Sequence, residues 1–141
     1  MTGNLKIHLK SNERIFVNGG VLKVDRKVAI EFLNDVVFLM EGHIIQQEQA
    51  TSPLKQLYFI VQSMLMDPKA RVLARQFYDQ SHKMLISTFK NQDVLEGLVA
   101  AKQMIERDRP FDALKKIRAL FAIEEEILGL KSAAGPNKAV A

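Results

Sequence analysis

The chain has 141 residues, 48% hydrophobic and 26% charged, which is the size and balance of one folded domain with a core of its own. It has no cysteine, which excludes disulfides, thiol catalysis and thiolate metal sites. The net charge is +4: residues 1–52 carry six Lys/Arg and six Asp/Glu, so the excess lies in residues 53–141, where fourteen basic side chains meet ten acidic ones.

The first half alternates. Leu5, Ile7 and Leu9 are interleaved with Lys6, His8 and Lys10, the period-two pattern of a half-buried strand. Ile15-Phe16-Val17 follows a polar link, and Asn18-Gly19-Gly20 then signals a tight hairpin turn, because Asn and Gly tolerate positive φ. Val21, Leu22 and Val24 resume the strand. Val28 to Leu33 form the next apolar run, and Val36–Met40 and Ile44–Ile45 are expected to be the last strands. So many short strands within residues 1–46 predict a small antiparallel sheet curled toward a barrel.

The second half has helical spacing. Ser52 is an N-cap ahead of Pro53, and Leu54, Leu57, Tyr58, Val61, Met64 and Leu65 share one stripe. Asp67-Pro68 repeats the start signal for a second helix with Val72, Leu73, Phe77, Met84 and Leu85 as its apolar face. Asn91 caps a third, carrying Val94, Leu95, Leu98 and Ile105. Pro110 opens a fourth, with Phe111, Leu114, Ile117, Phe121 and Leu128 inward and Gly129 as its stop. The fold class is therefore α+β: an antiparallel β unit over residues 1–46, a bundle of about four helices over 47–131, and a disordered tail at 132–141, all in one compact protein.

No catalytic constellation emerges. His8, His43 and His82 lie in separate segments without metal-ligand spacing, so no metal or cofactor is expected. The glycine cluster lacks a phosphate-loop pattern. Glu124-Glu125-Glu126 splay around a helix axis and read as a solvated face. Two binding features stand out. Lys6, His8 and Lys10 project from one strand face, with Arg14, Lys23, Arg26 and Lys27 close in sequence, a cation set suited to RNA phosphates. The alternative for that face is a plain solvated strand. The helical half is rich in Met and Phe, which fill cores and can also line grooves for partner helices, and Lys115, Lys116 and Arg118 form a small basic patch beside its last apolar face.

Gln49-Ala50-Thr51-Ser52-Pro53-Leu54-Lys55-Gln56-Leu57-Tyr58-Phe59 resembles the central signature of the FlbT family of flagellum biosynthesis repressors. Leu5–Lys10, Glu13–Gly19, Phe32–Val36, Ala113–Arg118 and Ile123–Glu125 extend the resemblance over residues 3 to 128. Ser52 and Lys55 stand where Thr and Arg are expected, and Lys lacks the planar fork of Arg. The resemblance implies a cytoplasmic, non-enzymatic, post-transcriptional regulator of flagellin synthesis. It implies binding to the 5′ untranslated region of flagellin mRNA, with decay left to host ribonucleases, and the partners FlaF and flagellin. The alternative it leaves open is a protein-interaction adaptor or chaperone for flagellin or FlaF whose effect on the message is indirect. Residues 5–19 are also loosely similar to RNA-binding proteins of the CsrA type, in which first-strand residues of a dimer contact RNA. Self-association is accordingly a further expectation, and membrane attachment is not. Candidate RNA contacts are Lys6, His8, Lys10, Arg14, Lys23, Arg26 and Lys27. Candidate partner contacts are Gln49, Gln56, Tyr58, Lys115, Lys116 and Arg118.

Overall fold

The computed structural model describes residues 5–129. Five strands, β1 (Leu5–Leu9), β2 (Arg14–Val17), β3 (Gly20–Lys23), β4 (Val28–Phe32) and β5 (Phe38–Met40), precede five helices, α1 (Pro53–Met66), α2 (Arg71–Thr88), α3 (Gln92–Glu106), α4 (Pro110–Arg118) and α5 (Phe121–Leu128). The class is α+β, as expected. The tail expected at 132–141 lies outside the described residues.

The strands divide between two antiparallel sheets, β1–β4 and β3–β2–β5, where the sequence suggested one curled sheet. β1 and β4 pair Leu5 with Phe32, Ile7 with Ile30 and Leu9 with Val28, so one face is apolar; Lys6 opposite Glu31 and His8 opposite Ala29 form the other. The β2–β3 hairpin turns on Asn18 (φ 46°) and Gly19 (φ 97°), the two left-handed residues that a two-residue turn requires. β2 is central and buried on both faces: Phe16 joins the helical core with Leu39, while Ile15 points to the opposite side. The Phe32 and Phe38 rings, 5.0 Å apart, bring the apolar faces of the two sheets together.

Two expected strands are shorter or missing, for local reasons. β5 begins at Phe38, because the Val37 N–H donates to the Asn18 side-chain oxygen at 3.0 Å at the point where its partner strand turns away. Ile44 and Ile45 form no strand. The Gln62 side-chain amide takes the Ile45 N–H at 2.9 Å and gives its own N–H to the Ile45 carbonyl at 2.9 Å, replacing a ladder partner. Gln62 is buried, so this pairing also satisfies an amide that would otherwise be costly inside.

α1 is the centre of the helical half and packs on α2 and α4; α3 packs on α4. Ser52 is its N-cap, accepting from the Lys55 N–H, and Leu54, Leu57, Tyr58, Val61, Met64 and Leu65 are buried on the predicted stripe. Each such side chain contributes roughly 1.5–3 kcal/mol on burial. The face predicted for α2 is corrected. Val72, Leu73, Phe77 and Met84 are 50–75% exposed, and the buried residues are Ala74, Tyr78, His82 and Leu85. The helix lies at the edge of the bundle, where its smaller, more polar stripe is the one that meets α1.

The predicted fourth helix is broken at Ala119–Leu120 into α4 and α5. The break turns Leu120 into the bundle, against Gly97 of α3: a Cβ at Gly97 would lie 2.7 Å from Leu120 Cδ1. The chain bend and the glycine are thus one packing device. Leu128 is exposed rather than inward, and Gly129 ends α5 in the left-handed conformation at φ 75°.

Candidate nucleic-acid interface

Lys6, His8 and Lys10 are exposed along one face of β1, and Lys23, Arg26 and Lys27 are exposed near the β3 end and the turn that follows it. Arg14 and Lys23 are register partners across β2 and β3. Their charges are not equally available. The Arg14 guanidinium sits 3.4 Å from Glu41, whose other oxygen accepts the Arg14 backbone N–H at 2.8 Å; these contacts, the backbone one foremost, hold the Glu41 carboxyl below its ordinary range. Arg26 is forked onto Asp25 at 3.0 and 3.1 Å, which likewise lowers the Asp25 carboxyl. Lys6 stands across from Glu31 on its own face. Lys10, Lys23 and Lys27 have no carboxylate within ion-pair distance among the described residues. The cations thus lie on two sheets, Lys6 and His8 on the β1–β4 ribbon and Lys23 at the end of β3 in the other, and the stretches meet where the Ser11 hydroxyl donates to the Asp25 carbonyl at 3.3 Å.

The candidate partner residues do not come together. Gln49 is exposed but caps its own turn, accepting the Gln46 N–H at 2.7 Å, and Gln56 is exposed on α1. Tyr58 is wholly buried, so its ring cannot meet a partner in this state. The pattern that marks a signature block cannot separate a conspicuous core aromatic from a surface one. Arg118 turns inward to it, with one guanidinium N–H 3.0 Å from the Tyr58 hydroxyl. Burial and, less strongly, the Arg118 charge lower the His43 ring below its ordinary range. Lys115 and Lys116 remain exposed, so of the basic patch read from the sequence Arg118 alone is engaged with the buried tyrosine.

Glu124 overturns the reading of its cluster as solvent-facing. It is fully buried, accepting from the Ser52 hydroxyl at 2.5 Å and from the Leu54 N–H at 2.8 Å. It therefore anchors the positive end of α1, where a carboxylate is favoured by the free N–H groups and the helix dipole. Glu125 stays near the surface, 3.6 Å from Lys55.

Three features escaped the sequence reading. Phe32, Phe38 and Phe111 form a ladder, with 5.0 and 5.6 Å between successive ring centroids, joining both sheets to α4. Beside it lies a cleft of about 570 Å³ between the sheets and the start of α4. Around the next turn of α4, Arg107, Arg109, Lys115 and Lys116 surround a shallower depression of about 430 Å³. Lys115 and Lys116 were legible as half of the last, while Arg107 and Arg109 were masked by the aspartate between them. Among the described residues no group of three or more His, Asp or Glu side chains is arranged to hold a metal, and no helix is long and apolar enough to cross a membrane.

The model of the family described as "Flagellar protein FlbT" matches residues 5–128. A protein of Rhizobium leguminosarum bv. trifolii named "Probable flagellum biosynthesis repressor protein FlbT" is 52% identical over 128 residues, 91% of this chain and 86% of that protein. Its namesake in Agrobacterium fabrum is 48% identical over 128 residues, with the same two coverages. The "Probable flagellum biosynthesis repressor protein FlbT 2" of Bradyrhizobium diazoefficiens is 49% identical over 124 residues, 88% of this chain and 91% of that protein. No solved structure matches the chain.

Proposed function

Since this chain belongs to the FlbT family, we propose that it regulates flagellin synthesis after transcription, by binding the 5′ untranslated region of flagellin mRNA in the cytoplasm and lowering the message's translation or lifetime. The observation that carries this reading is the set of exposed cations on β1 and at the β3 end, which on β1 lie on the face opposite the buried Leu9. Phosphates bind such a set without needing enzyme chemistry, and cleavage of the message is left to ribonucleases. The protein acts as a binder, with no turnover of its own.

A second reading has its own support. Leu73, Phe77 and Met84 are exposed along one side of α2, an apolar stripe of the kind that receives a partner protein. Under it the chain is an adaptor for flagellin or FlaF, and its effect on the message is indirect.

The test is binding of purified protein to a flagellin leader RNA across a salt series, with FlaF and flagellin in parallel. Lys6→Gln combined with Lys10→Glu is compared with the parent; the Gln avoids setting two carboxylates opposite each other at Glu31. Leader-selective binding that weakens with salt, and weakens further in the variant, supports direct contact. Selective protein binding with no RNA binding in either form favours the adaptor.

A further inference from the structure

We propose that a second RNA contact lies against the apolar face of the β1–β4 ribbon, the face opposite Lys6 and His8: the cleft between the sheets and α4 receives a base, and the depression on the next turn of α4 holds the adjoining phosphates. The proposal rests on the RNA reading above and extends it to residues which that reading does not use.

The two concavities are neighbours, because Arg109 and Asp112 line both. They differ in chemistry. The depression is cationic, and the acids around it are already engaged: Asp112 with Arg109 at 2.6 Å, Asp108 with Arg71 at 3.2 Å and Glu106 with Lys102 at 4.0 Å. Arg107 and Lys116 thereby keep their full charge toward solvent, and Lys115 lies over the Phe111 ring at 5.2 Å. Cations at the last turn of α4 also complement its carbonyl end. Arg107 does the same at the carbonyl end of α3, and the two helix ends thereby bring their cations to one depression.

The larger cleft is aromatic and mildly acidic. Phe32, Phe38 and Phe111 are all part-exposed and line it, and Asn34 and Asp35 stand on its rim. Its volume of about 570 Å³ is ample for one nucleobase. Aromatic walls suit a base, and a carboxylate with an amide suits the amino groups on its edge. An acidic peptide fits the depression but is repelled by Asp35 and gains little from the ring ladder. A single strand, with its charge on one side and its π-faces on the other, matches both halves of the site.

Fluorescent ten-nucleotide homopolymers of U, A and C and the leader RNA are titrated against the full chain in a salt series. Arg107→Gln with Lys116→Gln removes two exposed cations without opening the core. It is expected to weaken binding tenfold or more and to flatten the log–log salt slope by about 1.4, the single-strand value for two phosphate contacts. Asp35→Ala is expected to alter the ranking of the homopolymers and leave the salt slope unchanged. Photo-crosslinks from 4-thiouridine RNA are expected in residues 32–38 and 104–119. If the double variant keeps the parental affinity and slope while Lys6→Gln/Lys10→Glu abolishes binding, the second contact is refuted and the strand-face reading stands. If it disturbs FlaF or flagellin binding and spares RNA, the surface serves a protein and the proposal fails. If the parent binds no RNA at low salt, both readings fall together.

Discussion

The Tyr58 hydroxyl accepts an N–H from Arg118 at 3.0 Å and donates to the His43 carbonyl at 2.5 Å, so one oxygen ties α1 to α4 and to the turn after the last strand. Burial first, opposed by the arginine, raises the phenol above its ordinary range and keeps it a donor. Tyr58→Phe keeps the ring and its 5.1 Å edge contact with Phe121 but leaves the His43 carbonyl and the guanidinium without this partner. It is expected to lower the unfolding free energy by about 1–3 kcal/mol, measured by urea melts, with partner binding changed only as far as folding is.

Glu124 is the sharper test of buried polarity. Glu124→Ala leaves the Ser52 O–H and the Leu54 N–H without an acceptor in a buried site, a loss expected at about 1–3 kcal/mol for each donor. Glu124→Gln retains one acceptor and is expected to cost less than half as much. Equal, small effects from both would show that water reaches the site.

Acid should destabilise the fold through His82. The ring is buried, with Nε2 3.0 Å from the Leu98 carbonyl, and burial lowers its affinity for a proton below the ordinary value. The unfolded chain therefore binds the proton more readily than the native one. Stability is fully present above about pH 6.5, the unperturbed histidine value, and declines as the pH falls below it. The slope should shrink in His82→Gln, and the remainder reports His43, which shifts the same way. Chemical melts from pH 8 to pH 5 in both proteins decide it.

On α2, exposure rather than hydrophobicity should govern the cost of substitution. Phe77→Ser, at a position 50% exposed, is expected to change stability by no more than about 0.5 kcal/mol. Leu85→Ala, at a position 6% exposed, is expected to cost about 2–4 kcal/mol. A large loss at Phe77 would mean that the stripe is already covered by another molecule in solution.

These contrasts also explain where sequence pattern succeeds. Period two located β1, and the Asn18-Gly19 pair located the hairpin, because both are local rules with little competition. The cap and proline at Ser52-Pro53 fixed the start of α1 for the same reason. α2 failed because its most apolar stripe is not the stripe that meets the bundle; only tertiary packing assigns which side of an edge helix is inside. Ile44–Ile45 failed because a side chain seventeen residues away took the place of a strand. Glu124 failed because a carboxylate among three reads as solvated until its partner, seventy-two residues earlier, is known. On the strand face the cations were readable, but their neutralisation by Glu41 and Asp25 was not. The cleft between the halves belongs to neither half of the sequence alone.

The Glu124 contact has a consequence for biosynthesis. α1 is among the first helices to leave the ribosome, yet the acceptor for its Leu54 N–H arrives only with α5. Until then the leading end of the central helix has a serine cap and no buried counter-charge. The helical half consequently matures late in translation, and a nascent chain stalled before residue 124 should remain open to proteases that the finished protein resists.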